Sequence, residues 1–172
     1  MERRLKVDPT GLADSRLPVF VSRPLRLTAA QTRSLKVVVE ELRRLGLEPR
    51  TYGAQDYPID NPVSAARAMA RICCGGVVLG FRKYDVPRTS HGTRHLSPSP
   101  WNHLEGGILI GLGLPVWILR EGAVSGGIFD DGSSDVFIHP MPRPGMSKRH
   151  REHFQESALK YSASVREYYY RK

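Results

Sequence analysis

The chain has 172 residues, a length that suits one domain and is short for two. Hydrophobic residues make up 40% of it and charged residues 25%, as in ordinary globular proteins, and no stretch approaches the ~20 apolar residues of a membrane span. The two cysteines, Cys73 and Cys74, are adjacent and therefore poorly placed to bridge. We expect a soluble protein in a reducing, cytoplasmic setting, with no membrane partner.

The formal net charge is +9, which admits nucleic acid, a membrane surface or a phosphorylated small molecule as a partner. Part of the basic excess lies at the two ends of the chain, at Arg3, Arg4, Lys6, Lys148, Arg149 and Arg151. No recognised nucleic-acid-binding motif accompanies these residues. We interpret them as solvated ends and expect that nucleic acid is not the partner.

The first predicted elements are a strand, a helix and a second strand. Residues 17–22 form a short apolar run, typical of a buried parallel strand. Thr28 can cap the helix that follows, and Gln31 can close a capping box. That helix carries one apolar stripe and ends at Gly46; the stripe comprises Leu35, Val38, Val39, Leu42 and Leu45. Residues 47–52 predict a more polar strand, suited to a sheet edge.

The middle of the chain repeats this alternation. Asn61 followed by Pro62 indicates a helix start, and the helix continues to Gly75. Residues 76–81 are the most convincing central strand. The polar stretch that follows, residues 82–98, is too long for an ordinary connection, so we expect a functional or mobile loop there.

The last third of the chain supplies two more helices and two more strands. Ser99 and Pro100 repeat the cap-plus-proline pattern and begin a helix that runs through Leu112. The next segments are a buried strand at 115–120, a loop rich in glycine and aspartate at 121–135, and a final strand at 136–139. Residues 147–171 form the last helix, with an apolar stripe at Phe154, Ala158, Tyr161, Val165 and Tyr168.

Strands that alternate with helices imply crossover connections and a parallel sheet covered on both faces. We therefore predict an α/β fold, a single doubly wound, flavodoxin-like domain with a mostly parallel five-stranded sheet. Its parts are an N-terminal arm (1–16), the α/β domain (17–146) and a C-terminal helix (147–172) packed on the same domain. Ligands bind outside the carboxyl ends of such strands, so the candidate loops follow Ser22, Tyr52, Phe81 and Arg120.

The sharpest local feature is Glu105, near the start of the third helix and just after the long polar stretch. Gly106, Gly107 and Gly111 lie in the same helix, and each costs about 1 kcal/mol of helix propensity relative to alanine. That cost predicts that bulk is unwelcome there, either for close packing on the sheet or to leave room beside the carboxylate. The alternative is pure packing, with Glu105 facing water.

Three segments resemble a Toll/interleukin-1 receptor (TIR) domain: Phe20-Val21-Ser22 at the end of the first strand, the strand around Val77 to Leu79, and Trp101 four residues before Glu105. The resemblance covers residues 17–120, and the order of elements also matches. In enzymatic TIR domains the corresponding glutamate cleaves NAD between nicotinamide and ribose. The resemblance implies a catalytic role for Glu105, with Trp101 shaping the pocket, and an enzyme that self-associates as a homo-oligomer.

The chain also resembles the group of nucleoside 2-deoxyribosyltransferases and nucleotide N-glycosidases, which share the flavodoxin-like order. That group places its catalytic glutamate on a helix beside small residues, before a strand like residues 114–118. Ser22-Arg23-Pro24 is closer to this group than to a TIR loop, whereas the Gly-Thr pair that precedes the glutamate in the group is missing here. The missing pair is a departure from that group's pattern, and the sequence leaves open whether the substrate is NAD or another nucleotide.

Cleavage of an N-glycosidic bond passes through an oxocarbenium-like state, which one nearby carboxylate can stabilise or capture. Nicotinamide leaves NAD as a neutral molecule without an acid, whereas a neutral nucleobase needs protonation by a second acidic group. Five carboxylates are open candidates for that acid: Asp56, Asp60, Asp130, Asp131 and Asp135. Beside the catalytic Glu105, the predicted substrate-binding residues are Ser22, Arg23, Asp56, Phe81, Arg82, Trp101 and Asn102.

No metal and no cofactor is expected, the nucleotide being the substrate. His91 and His95 have helical spacing but lie in a loop with Gly92, and His103 adds no plausible set of metal ligands. Cys73 and Cys74 are interpreted as small apolar packing residues rather than as a reactive pair.

Two functional hypotheses therefore remain open. The first is an N-glycosidase that acts on NAD or a related nucleotide through Glu105. The second is a non-catalytic TIR-like module that binds a nucleotide signal or a protein partner. A basic protein associated with nucleic acid ranks last, because it rests on charge alone.

Overall fold

The computed structural model describes residues 16–51, 61–87, 94–132, 136 and 138–172. Within these ranges the elements are, in chain order, β1 (Leu17–Ser22), α1 (Ala29–Arg44), β2 (Leu47–Arg50), α2 (Pro62–Ile72), β3 (Gly76–Gly80), β4 (Tyr84–Pro87), β5 (Arg94–Ser97), α3 (Pro100–Gly111), β6 (Val116–Arg120), a 3₁₀ turn (Gly127–Phe129), β7 (Ile138–Pro140) and α4 (Lys148–Arg171). In the part of the chain so described, no helix has both the length and the apolar character that crossing a bilayer demands.

Five strands form one sheet in the order β2-β1-β3-β6-β7, and each neighbouring pair is parallel. The predicted α/β fold with a parallel five-stranded sheet is therefore confirmed. The polar β2 and the short β7 lie at the two edges, where short or polar strands limit pairing with other chains. Every residue of the central β3 is buried, as its uninterrupted run of small and apolar residues predicts.

The two faces of the sheet carry separate hydrophobic clusters, because successive strand residues point to opposite sides. Val77 and Leu79 of β3 belong to the cluster covered by α1 and α4. Val78, which lies between them, belongs to the cluster covered by α2 and α3. Helices on both faces are the arrangement expected of a doubly wound fold.

The helix starts follow the capping residues that the sequence indicates. The Thr28 hydroxyl accepts from the Gln31 N–H at 3.2 Å, and the Gln31 side-chain oxygen accepts from the Thr28 N–H at 3.1 Å, so the capping box is complete. Asn61 caps α2 by accepting from the Ser64 N–H at 3.3 Å. Ser99 occupies the cap position of α3, but its side chain makes no capping bond, so Pro100 is the stronger start signal there.

The C-terminal helix packs on the sheet through the predicted stripe. Phe154, Ala158, Tyr161 and Val165 are buried, and Tyr168 is partly buried. The Trp117 ring of β6 stacks on Phe154 and on Tyr161, with ring centroids 5.4 Å and 5.6 Å apart. These aromatic contacts attach α4 to the sheet, since each such ring buries a large apolar area.

The polar stretch after β3 differs from the prediction. Within residues 82–98, β4 and β5 pair as an antiparallel two-stranded sheet, where the sequence predicted a loop. The pairing is reinforced from outside the hairpin, because the Ser125 N–H donates to the Leu96 carbonyl at 3.1 Å. The strands are only four residues long, too short for their periodicity to give a signal in a stretch rich in polar residues.

Candidate active site

The strand order places a topological switch between β1 and β3. From β1 the chain crosses to β2 on one side and then to β3 on the other, and ligands of such sheets bind outside the carboxyl ends of the strands at this switch. Ser22 is the last residue of β1, and Gly80 is the last residue of β3. The helix α3 packs against β1, β3 and β6 and begins at this edge.

A buried hydrogen bond joins the end of β1 to the first turn of α3. The Asn102 amide Nδ2 donates to Ser22 Oγ at 2.8 Å, with Ser22 1% exposed and Asn102 fully buried. The other amide atom, Asn102 Oδ1, is buried and has no hydrogen-bond partner within the described ranges. An unpaired buried acceptor is costly, so a donor supplied by a ligand would be stabilised at this position.

Glu105 lies one helical turn after Asn102 on the same buried face of α3 and is only 3% exposed. Two turns after Asn102, Leu109 packs over Gly76 at the start of β3. The helix thus runs from the carboxyl edge of the sheet towards its amino edge. Glu105 is therefore set back by one turn from the edge at which Asn102 meets Ser22.

The glycines near Glu105 do not share one role. A Cβ added at Gly106 would lie 2.4 Å from Ile128 Cδ1, whereas one added at Gly107 or Gly111 would have no neighbour within 4 Å. The prediction that bulk is unwelcome is therefore wrong for Gly107 and Gly111. These two residues lie on the exposed face of α3, away from both the sheet and the buried side of Glu105.

The remaining predicted substrate-binding residues are not all brought together. Arg23 is partly buried, and its guanidinium donates to the Pro24 carbonyl at 3.1 Å. Trp101 is 42% exposed in the first turn of α3. The Arg82 guanidinium is exposed and pairs with Asp85 at 2.7 Å.

Phe81 lies on the other side of the sheet. It continues the alternation of Val77 and Leu79 and is buried in the cluster covered by α1 and α4, so it does not share a face with Glu105. Asp56 and two candidate acids, Asp60 and Asp135, lie outside the described residues. Asp130 and Asp131 are exposed; Asp130 accepts from the Gly126 N–H at 2.7 Å, and Asp131 pairs with Arg120 at 3.0 Å.

A polar network that the sequence did not reveal joins three elements at the same sheet edge. The Gln31 amide Nε2 donates to the Arg82 carbonyl at 3.0 Å and to Glu121 Oε2 at 2.9 Å. The Arg82 N–H also donates to Glu121 Oε2, at 2.8 Å. Gln31 and Glu121 thus fix the start of α1 against the ends of β3 and β6. The capping-box pattern identified Gln31 only as a cap, and no local pattern marks Glu121.

His103 adds a titratable ring beside the buried turn of α3. Its ring meets Phe129 edge to face, with centroids 5.3 Å apart. Burial lowers the pKa of His103 below its ordinary value of 6.5, and the nearby Asp130 opposes that shift. The ring is therefore neutral at neutral pH, where it offers one donor and one acceptor.

The cysteines and histidines do not form a reactive or metal-binding set within the described ranges. Cys73 and Cys74 are both buried and free, and burial, with the neighbouring Cys74, raises the pKa of Cys73 to about 12. A thiol with that pKa stays protonated at neutral pH and is a poor nucleophile. Among the described residues, no three histidine, cysteine, aspartate or glutamate side chains converge as metal ligands.

No protein-family model matches the chain, and no curated protein sequence matches it either. Among solved structures, a CMP N-glycosidase of Clostridium botulinum is similar, with a TM-score of 0.49 and 16% sequence identity. The similarity covers 83% of this chain and 98% of that one. This similarity concerns the arrangement of the chain and not its activity.

Proposed function

We propose that the protein is an N-glycosidase that cleaves the base–ribose bond of NAD or of a related nucleotide, with Glu105 as the catalytic carboxylate. The observation that supports the proposal is the placement of Glu105. This buried carboxylate lies one turn from Asn102 at the switch point between β1 and β3, where ligands of such sheets bind.

The neighbouring polar groups suit a sugar. Asn102 Oδ1 is a buried acceptor without a partner among the described groups, and a ribose hydroxyl is a donor. Ser22 fixes the orientation of the Asn102 amide through the bond at 2.8 Å. The Ser22 bond would hold the Asn102 amide in one orientation towards the sugar once the ligand has reached this buried position.

In the proposed reaction the bond between C1′ of the ribose and the base nitrogen breaks, and both bonding electrons leave with the base. The positive charge that develops on the ribose is stabilised by the Glu105 carboxylate, whose effect is strong where water is excluded. Water then adds to C1′ and loses a proton, so that NAD and water give nicotinamide, ADP-ribose and a proton. For a neutral base, an acid must also protonate the departing nitrogen.

The burial of Glu105 favours a second candidate function. A catalytic carboxylate has to contact the sugar, and only 3% of Glu105 is exposed. A module that binds a nucleotide without cleaving it could use the unpaired Asn102 acceptor and leave Glu105 as an internal polar group. Tight nucleotide binding without turnover would support this alternative.

The test is base release from NAD, NMN, CMP and deoxynucleosides, followed by chromatography. We expect turnover of at least one of them by the wild-type protein and its loss, by about a hundredfold or more, in Glu105→Gln. The matched control is Glu41→Gln, because Glu41 is also buried, at 8% exposed, but lies on α1 and pairs with Arg44. Circular dichroism and urea unfolding check that each variant folds.

The outcomes separate the hypotheses. Turnover that survives Glu105→Gln in a folded protein contradicts the catalytic assignment. Equal loss in Glu41→Gln would mean that the effect comes from stability. The binding module is supported instead of the enzyme if no substrate is turned over at high protein concentration while a nucleotide binds saturably.

A further inference from the structure

A second concave surface lies at the carboxyl ends of β6 and β7, on the side covered by α1 and α4. This cleft has a volume of about 720 Å³, which is in the range of small-molecule sites. Ile138, Pro140 and Met141 give it an apolar wall. Glu105 and Asn102 are not among the residues that line it.

Basic side chains also line this cleft. Arg33 of α1, together with Arg143 of the segment before α4, contributes guanidinium groups. Both residues are exposed, and neither guanidinium makes an ion pair or hydrogen bond with another described residue. Arginines elsewhere in the described ranges divide between those with such a partner, for example Arg16, Arg44 and Arg82, and those without one, for example Arg26, Arg67 and Arg71.

The imidazole of His150 also lines this cleft. His150 lies in the first turn of α4, where its backbone N–H donates to the Ser147 cap. Its ring Nε2 is buried and has no hydrogen-bond partner among the described groups. A buried ring nitrogen without a partner at the wall of a cleft is a position where a ligand atom can complete the hydrogen bonding.

Glu121 is the carboxylate that lines the cleft, and one of its oxygens already accepts two hydrogen bonds. Its Oε2 accepts from the Gln31 amide and from the Arg82 N–H at 2.9 Å and 2.8 Å. The Arg120 guanidinium is held by the Phe129 carbonyl and by Asp131. The lining cations without a described ion pair are therefore the two guanidiniums, and the His150 imidazole and the Ser34 hydroxyl line the cleft beside them.

We propose that this cleft binds the phosphate group of a small phosphorylated molecule, with Arg33 and Arg143 as the charge partners and His150 Nε2 as a further hydrogen-bond partner. Guanidinium groups suit phosphate because their fixed donors match two of its oxygens. The apolar wall of Ile138, Pro140 and Met141 would contact the uncharged remainder of the molecule. The inference does not depend on the proposed glycosidase activity.

The experiment is calorimetric titration of the full chain with ribose 5-phosphate, ribose, inorganic phosphate and sulfate at constant ionic strength. We expect ribose 5-phosphate to bind more tightly than ribose, and Arg33→Ala and Arg143→Ala each to weaken it by about tenfold. His150→Gln should weaken it by a smaller factor. The matched control is Arg67→Ala, an exposed arginine of α2 on the other face of the sheet that also lacks a described partner.

Three results would overturn the proposal. One is equal binding of ribose and ribose 5-phosphate; another is an effect of Arg67→Ala as large as that of Arg33→Ala. The third is binding of single-stranded DNA that depends on Arg67 and Arg33 alike, which would indicate a general basic surface. Binding of ribose 5-phosphate that depends on Arg33 and Arg143 can be measured whether or not base release occurs, so failure here and failure of the glycosidase proposal are distinguishable.

Discussion

The Asn102 amide and the Ser22 hydroxyl are 80 residues apart in sequence and 2.8 Å apart in the structure, at the point where β1 ends and α3 begins. Both side chains are buried, so neither can exchange its partner for water without the site opening. This one bond joins the end of β1 to the first turn of α3, and the first prediction depends on it.

Ser22→Ala is expected to lower the free energy of unfolding by about 1–3 kcal/mol, because it leaves the buried Asn102 amide without its remaining partner. Urea unfolding measures the change. Ser164→Ala is the control, since that exposed hydroxyl bonds only a carbonyl of its own helix and should cost less than about 0.5 kcal/mol. Equal stability of Ser22→Ala and wild type would mean that the bond is not formed in solution.

Alanine at Gly107 and alanine at Gly76 should have opposite effects. At Gly107 the new methyl group meets nothing within 4 Å, so the gain in helix propensity should stabilise the protein by about 0.5–1 kcal/mol. At Gly76 it would lie 2.4 Å from Leu109 Cδ1, and we expect a loss of about 1–3 kcal/mol. Thermal unfolding of the two variants, measured side by side, shows whether each substitution raises or lowers stability. Destabilisation by both would contradict the open space at Gly107.

Gln31→Ala should cost about 1–2 kcal/mol, because the same side chain closes the capping box of α1 and satisfies the Arg82 carbonyl and Glu121. Gln155→Ala on the exposed face of α4 is the control and should change little. Urea midpoints of the two variants make the comparison. A loss in Gln31→Ala no larger than in the control would show that the network does not contribute to stability.

Stability should fall as the pH drops below about 6.5, the ordinary pKa of histidine. Burial lowers the pKa of His139, and the adjacent His153 and Lys160 lower it further; burial also lowers the pKa of His103. Between the lowered and the ordinary pKa the unfolded chain binds more protons than the folded one, so acid favours unfolding. Above the ordinary pKa the rings are neutral in both the folded and the unfolded chain, so they no longer lower the free energy of unfolding.

Urea midpoints at several pH values between about 7.5 and 5, the range in which histidine titrates, test this dependence. His139→Gln should flatten the profile, because it removes one of the two histidine rings of the described residues whose pKa is lowered. A profile of His139→Gln as steep as that of the wild type would assign the acid sensitivity to other groups.

The local chemistry of the chain determined the strands of the main sheet, the helices between them and where those helices begin. Thr28 with Gln31, and Asn61 with Pro62, begin helices because capping and proline act within one turn. The alternation of apolar strands with amphipathic helices determined the parallel sheet, since both faces need cover. The same pattern predicted that Ser22 ends a strand, and the observed β1 ends at Ser22.

Only the tertiary structure decided which side chains meet. The β4–β5 hairpin has no periodic signal, because its pairing depends on contacts made outside the segment. Phe81 and Glu105 fall on opposite faces of the sheet because strand alternation sends Phe81 towards α1 and α4, while α3 covers the other face. The partnerships of Asn102 with Ser22 and of Gln31 with Glu121 join residues far apart in sequence, and a hydrogen bond depends on position in space rather than on spacing along the chain.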